Sequence, residues 1–476
     1  MEMQTNEPIR TPAPRRRRRS KAQIFKEAYL PTIIMAITIV LVLVFIIGGV
    51  IRGKQSADPN LSASGNPSSS SDNISSSTLS SSSMQDALWE QEAADLIQQA
   101  ALLAKEYDYA AALAKLNSFT GIKDAFPDLI DAIVTYTEAL NRMVSWKAED
   151  VYNLSFHVLI ADPSLAYNDA VYPNSYKNNF ITTTEFSRIL EQLYDSGYIL
   201  VDLDDFYSLE YSSTYGTNIY VQKELLLPAG RTPIMLTETN ASYYTYMQNG
   251  AQDGKPDGFA NRLCFDGQTF YNEMLHVDGS VSTGAYDVVP ILENFISNHP
   301  DFSYKNARAI ISFAGYDRIL GYRVNDATLS ADAIAQERSE LQTTVNALRA
   351  AGYKLACYTY NNQNYGTMSA ENIDNDLQKW DELVAPLLGK MDILVFAQGG
   401  DIETTDETYN DSSKFNVLYR AGFRYFLGSS DTPFSQVANR YVRHNRLMVT
   451  GSNLKNKPAL FADLFDVAAV LDEARN

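Results

Sequence analysis

Hydrophobic and polar positions divide this chain into segments of different periodicity. From Leu30 to Ile51 ("LPTIIMAITIVLVLVFIIGGVI") no charge interrupts 22 residues. At about 1.5 Å of rise each, that run spans a bilayer core of about 30 Å. It reads as a transmembrane helix over residues 30–52, and it is too long, and lacks the small-residue exit, for a cleaved signal peptide. Residues 53–84 hold almost nothing apolar, with fourteen serines among the 29 residues from Gln55 to Ser83, a composition that predicts a flexible, disordered linker. Apolar residues then recur at helical spacing (Leu88, Ala93, Leu96, Ile97, Ala100, Leu103, Ala104). Asp95 to Leu116 reads as a helical hairpin, and a third helix is expected from Pro127 to Trp146, making an α-helical stalk over 85–147. The stretch "LAKEYDYAAALAKL" resembles one tetratricopeptide-type unit, but no second copy follows at that period.

From Asn153 onward short apolar runs alternate with helical patterns. "NLSFHVLIAD" reads as a strand, and "TTTEFSRILEQLYDSGY" as a helix with a Thr182/Glu185 capping box, a stripe at Phe186, Ile189, Leu190 and Leu193, and Gly197 as its stop. "ILVDLDDF" and "TPIMLTE" follow as strands, and Asp266-Gly267 and Asp278-Gly279 mark hairpins. "DVVPILENFISNHPDF" is helical, "NARAIISFAGYD" a strand, "RSELQTTVNALRAAGYKLACYTY" a helix feeding a strand, "DILVFAQGGD" a strand, and "FNVLYRAGFRYFLGSS" helix to strand again. Such alternation implies parallel strands in a barrel or open sheet, with functional groups at the strands' C-terminal ends.

Composition is ordinary for a globular chain, with 45% hydrophobic and 20% charged residues in 476. Charge is unevenly placed. Residues 1–54 carry ten Lys/Arg against three Asp/Glu, net +7, so the whole-chain −18 leaves −25 for residues 55–476. Eight of the basic residues precede the apolar run, so residues 1–29 form a cytoplasmic tail and the C-terminal domain is expected to be extracytoplasmic. The acidic remainder argues against nucleic acid and polyanionic wall polymers as ligands and leaves neutral or cationic glycan open. Two cysteines, Cys264 and Cys357, allow at most one disulfide, and Cys357 sits in an apolar run suited to a buried thiol.

The polar clusters at strand ends carry the candidate chemistry: Thr237-Glu238-Thr239-Asn240, Tyr358 to Asn362, and Gly399-Gly400-Asp401. With His157 on the first strand, "LYDSGYILVDLDDF", the "P-x-x-L-T" strand and "AAGYKLACYTYNN", residues 150–476 resemble the polysaccharide deacetylase family (NodB-homology domain, carbohydrate esterase family four). The resemblance implies a distorted (β/α) barrel that removes acetyl groups from wall glycans with a divalent metal, usually zinc. In that family a T-F-D-D motif supplies a base and a metal ligand, an H-[ST]-x-x-H motif supplies two histidine ligands, and a third motif lines the groove. Here "LTETN" puts Thr239 and Asn240 at the two aspartates, "YTYNN" puts Tyr358 and Asn362 at the two histidines, and "FAQGGD" keeps Gly399 but has Ala397 for proline.

Those substitutions imply that catalysis is lost, since Asn240, Tyr358 and Asn362 offer no zinc donor and Thr239 is no base; no metal and no other cofactor is expected. Glu238 is one position off and points to the opposite strand face. Of the four histidines, His157 and His444 lie near strand ends and with Asp401 would have to converge to build another site. Gly399-Gly400-Asp401 also suits a tight turn with Asp401 as the next helix's N-cap. Tyr243, Tyr244, Tyr246, Tyr358, Tyr360 and Tyr365 are placed to line a cleft and stack on sugar rings. Glu238, Asn240, Tyr358, Tyr360, Asn362, Gly399, Asp401 and His157 are therefore the expected groove residues. Three functions remain open: a pseudoenzyme binding cell-wall glycan or a protein partner, a hydrolase acting on C–N bonds with a relocated site, and a scaffold partnering through the stalk at 85–147.

Overall fold

The computed structural model describes residues 76–249, 254–410 and 412–475. The basic tail, the expected transmembrane helix at 30–52 and most of the serine-rich segment lie outside the described residues. Among the described residues no helix is long and apolar enough to cross a membrane.

Three helices open the described chain: α1 (Ser76–Lys105), α2 (Tyr109–Asn117) and α3 (Pro127–Asn141). Helix α1 begins inside the serine run, which corrects the end of the expected flexible segment at 84. Serine has middling helix propensity, and extending a formed helix costs far less than starting one. Asp108 caps α2 by accepting from the Ala111 amide at 3.1 Å. The third helix also stops earlier than expected, at Asn141. Met143–Trp146 is instead a strand paired antiparallel with Leu225–Pro228, because a partner edge gives its backbone groups bonds that a frayed helix end lacks. The helices join the barrel in one compact unit, Thr78–Asn476. One link between them is the Lys305 amide, which donates to the Glu106 carbonyl at 3.0 Å.

Seven parallel strands close into a ring: β1 (Tyr152–Phe156), β2 (Thr232–Glu238), β3 (Ile310–Phe313), β4 (Lys354–Cys357), β5 (Ile393–Val395), β6 (Tyr425–Ser429) and β7 (Tyr441–Met448). Each pairs with its neighbours in sequence, and β7 pairs with β1 to close the barrel. The crossovers carry α4 (Thr183–Asp195), α5 (Val288–Asn298), α6 (Ala331–Ala351), α7 (Ala370–Leu383) and α8 (Ser413–Ala421). Of the two arrangements that the alternation leaves open, a barrel and an open sheet, the barrel is the one present.

Local chemistry explains the elements. Thr182 and Glu185 form the expected capping box on α4, and all four stripe residues are buried beneath it. Gly197 ends that helix at φ +83°, and Gly267 and Gly279 take positive φ in the two hairpins. Strand alternation separates two cores. Met235, Ile310, Ala356, Val395, Leu427 and Val442 fill the barrel, while Leu236, Ile311, Leu355, Leu394 and Phe426 face the outer helices. Cys264 and Cys357 are buried free thiols, as expected of Cys357.

Candidate functional site

Because the strands are parallel and consecutive, their C-terminal ends deliver side chains to one mouth. There β1 presents His157, β2 Asn240, β4 Tyr358 and Asn362, and β5 Gln398, around a cavity of about 380 Å³. The segment after β1 adds Tyr172, Tyr176 and Phe180, and the segment after β2 adds Tyr243, Tyr244, Tyr246 and Met247. Asn240, Tyr358 and Asn362, which the sequence places at three strand ends, therefore share one cavity with His157.

One wall is a continuous run of rings. Tyr244 stacks on Tyr246 with centroids 5.7 Å apart, Tyr246 meets Tyr172 at 5.6 Å, Tyr172 meets Tyr176 at 5.8 Å, Tyr176 meets Phe180 at 5.7 Å, and Phe180 meets His157 at 5.4 Å. Tyr172 and Tyr246 stand exposed at the rim, whereas Tyr176, Tyr243, Tyr244 and Tyr358 are buried.

Backbone strain gathers at the same place. Asn240, Tyr243, Asn362 and Gln398 all line the cavity and all have positive φ, of 62°, 51°, 53° and 55°. A left-handed conformation is unfavourable for a side-chain-bearing residue and persists where the surroundings demand it, commonly at binding sites. It turns both asparagines and the glutamine inward from strands that have just ended.

The polar groups offered are neutral. Burial holds His157 down at about 4, opposed by its contact with the Thr239 carbonyl and aided by the charge of Arg446. The imidazole is therefore uncharged near neutral pH. Nδ1 donates to that carbonyl at 3.3 Å, which leaves Nε2 as an acceptor. Asn240 Oδ1 accepts from the hydroxyls of Ser242 at 2.9 Å and Tyr244 at 3.0 Å, so its amide nitrogen is the free end. Asn362 Oδ1 is buried without a partner. An orphaned buried acceptor carries a desolvation cost that a ligand donor relieves. Tyr358 is raised by burial and stays a phenol, accepting at its hydroxyl from the Gln398 amide at 3.2 Å.

Thr239 lies just beneath. Its hydroxyl and that of Ser155 are 2.6 Å apart, and both accept from Nη1 of Arg446 on β7, at 2.8 and 3.1 Å. Where the resemblance would place the catalytic base, a guanidinium is within hydrogen-bonding distance. This donor set does not fit a divalent metal. Asn240, Tyr358 and Asn362 supply neutral oxygens or nitrogens, and the Arg446 cation repels a second one. Among the described residues no three His, Cys, Asp or Glu side chains gather as metal ligands.

Other expected groove residues stand elsewhere. Glu238 stays in regular register with Phe156 and Ile311, so no bulge returns it to the mouth; it is buried on the outer face beside Asp287. Tyr360 packs over Gly315, where a Cβ would come within 2.5 Å of its ring, and the hydroxyl of Tyr365 donates to Asp376 at 2.8 Å; neither lines the cavity. Gly399 takes φ +67° in the turn after β5. Asp401 is not the next helix's N-cap, a role held by Ser412; it pairs with Arg443 at 2.9 Å. The buried guanidinium outcompetes a cap that backbone amides alone would offer. His444 is buried inside β7 and Asp401 is turned to Arg443, and among the described residues His157, Asp401 and His444 form no metal-ligand cluster.

Sequence reasoning passed over Gln398, Tyr172, Tyr176 and Arg446. Tyr172 and Tyr176 belong to the cap and body of a short helix, Pro173–Asn179, and Gln398 to the turn after β5, segments too short to show a period. Arg446 sits in "RHNR", four polar residues that hide strand β7, and its signal was the apolar frame around them, Tyr441-Val442 and Leu447-Met448.

No family model and no curated protein sequence matches the chain. Among solved structures, a Streptococcus pyogenes deacetylase, PplD, in complex with acetate aligns over 67% of this chain and 97% of its own, at 9% identity and a TM-score of 0.32. A superposition that loose bears on neither the fold nor the chemistry of this chain.

Proposed function

We propose that this is a single-pass membrane protein whose extracytoplasmic barrel is built on the plan of the polysaccharide deacetylases and binds a cell-wall glycan unit at its mouth without hydrolysing it. The observation that carries this reading is the cavity itself: a ring-lined wall facing strained Asn240, Asn362 and Gln398, with Asn362 Oδ1 unpaired. Rings that stack on a pyranose and neutral groups that exchange hydrogen bonds with hydroxyls are the chemistry of sugar recognition. Small-molecule pockets begin at about 300 Å³, so this one suits a unit of monosaccharide size. Against catalysis stand the missing base and ligands and the guanidinium of Arg446 beneath the cavity. The apolar run at 30–52 and its basic flank support anchoring with the N-terminus in the cytoplasm.

The full chain, purified in detergent and titrated calorimetrically with wall-type oligosaccharides, is expected to bind weakly and equally with and without EDTA. Tyr172→Ala and Tyr246→Ala, which remove rim rings, should each weaken binding by about 3- to 10-fold. Release of acetate from an acetylated oligosaccharide, or no binding to any sugar at millimolar concentration, would refute the reading.

A further inference from the structure

We propose that the mouth cavity prefers a sugar unit bearing a carboxylate, and that Arg446 is the residue that sets this preference. The inference rests on the glycan-binding reading and narrows its ligand.

Arg446 is among the largest fully buried side chains of the protein, at 1% exposure. Its Nε donates to the Gly428 carbonyl at 3.1 Å, Nη1 to the hydroxyls of Ser155 and Thr239, and Nη2 to the Phe396 carbonyl at 3.3 Å. Every acceptor is neutral, and one Nη2 hydrogen is left without one. Burial depresses this group to about 10, and Tyr358 is the one titratable neighbour that opposes the shift.

Four other sheltered arginines have a carboxylate partner, whereas the less buried Arg318, Arg188 and Arg424 bond neutral acceptors. Arg443 pairs with Asp401 at 2.9 Å, Arg308 with Glu293 at 2.6 Å and Arg262 with Glu337 at 2.8 Å, while Arg475 pairs with Glu185. Among the described residues Arg446 has no carboxylate within ion-pair distance. A buried charge without a counter-charge is costly, and an anionic ligand supplies the missing partner.

Arg446 is not itself part of the cavity's lining, and its charge reaches the mouth past the groups it holds. Arg446 holds Thr239, whose neighbour Asn240 lines the cavity, and the carbonyl of Phe396, two residues before Gln398. Its charge acts on His157 and Tyr358, both cavity residues. Carboxylates near this region sit against the tyrosines of the ring-lined wall instead. Asp257 accepts from the Tyr176 hydroxyl at 2.5 Å, Asp169 accepts from the Tyr172 amide at 2.5 Å, and Asp317 lies near Tyr246. The arrangement selects one inward carboxylate on a ring that stacks against the wall. A polyanion would meet the rim acids and the −25 charge of residues 55–476. That long-range repulsion is screened over about 8 Å at physiological salt, whereas a buried guanidinium is screened far less.

The test titrates the full chain with a glucuronic acid disaccharide, its carboxyl-reduced form and its methyl ester. The acid should bind about tenfold tighter than either neutral form. Arg446→Gln should weaken the acid by a similar factor and the neutral forms by less, so that the preference collapses. Because the wild-type comparison needs no variant, a misfolded Arg446→Gln leaves the test intact. Equal affinity for the three sugars would overturn this inference and leave the glycan reading standing. Failure of all three and of the neutral wall-type oligosaccharides would overturn both. Competition by inorganic phosphate as strong as that of the sugar acid would define an anion site without sugar recognition, and would also overturn it.

Discussion

Glu238 and Thr239 adjoin in the chain and meet opposite environments, because successive side chains of a strand point to opposite faces. Thr239 turns into the barrel toward Arg446, and Glu238 turns outward to Asp287. Burial, then the charge of Asp287, pushes Glu238 well above the usual carboxylate range. Glu238 Oε1 lacks a donor until a proton sits between it and Asp287, whose carboxyl is otherwise faced by the hydroxyl of Tyr243. Asp287 Oδ1 is already held by the amides of Leu159 and Val288, each at 2.8 Å. The sign follows directly. A carboxyl whose folded value is raised keeps its proton in the folded state while the unfolded chain loses it from about pH 4 upward. Stability therefore falls as pH rises through that interval, and the penalty is complete above the folded value. Glu238→Gln keeps a donor to Asp287 without the proton requirement. It is expected to raise Tm at pH 8 and to raise it less at pH 5; an equal shift at both pH values, or a lowered Tm at pH 8, would show that the pair does not share a proton.

Among the elements, α4 and β7 show how far local pattern reaches. The α4 signals in the sequence, its cap, stripe and stop, all appear where expected, because each acts within one or two turns. Strand β7 was illegible, because inside a closed barrel a strand's inner face is set by what lies across the barrel, not by alternation with water. The C-terminal residues after β7 return to α4. Arg475 pairs with the fully buried Glu185 of the α4 capping box and donates to the carbonyls of Lys177 and Phe180, both at 2.7 Å. Removing one partner of a buried pair leaves the other uncompensated and costs about 3 kcal/mol or more. Arg475→Ala should therefore lower unfolding stability by about that amount in a urea titration. A loss below about 1 kcal/mol would show that this closure contributes little.

At the scale of the whole molecule, the guanidinium beneath the mouth bears on whether a metal could be held there at all. Restoring the motif residues by Thr239→Asp, Asn240→Asp, Tyr358→His and Asn362→His places a carboxylate at position 239 beside the Arg446 guanidinium, which takes it before a cation does. The fourfold variant is expected to bind no stoichiometric zinc in equilibrium dialysis. Adding Arg446→Met should permit binding, and zinc uptake by the fourfold variant alone would show that the guanidinium is not the obstacle. Orientation is separately testable. Cysteines introduced into the serine-rich segment should react with an impermeant label on intact cells, and cysteines within residues 1–25 should not; the reverse pattern would invert the proposed topology.

The sequence by itself determined the β-α alternation, most helix ends, the buried thiol at Cys357 and three strand-end positions that share the mouth, Asn240, Tyr358 and Asn362. These follow from period, capping and turn chemistry, which operate between near neighbours. Tertiary structure alone decided the rest. The barrel closes with seven strands because β7 reaches β1. The wall at the mouth is assembled from two short helical segments far apart in the chain, those of Tyr172 and Tyr246. A guanidinium stands beneath that mouth because Arg446 meets Ser155 and Thr239 across separations of 291 and 207 residues. Contacts of that range leave no period in the chain, since they depend on which faces the closed sheet turns inward.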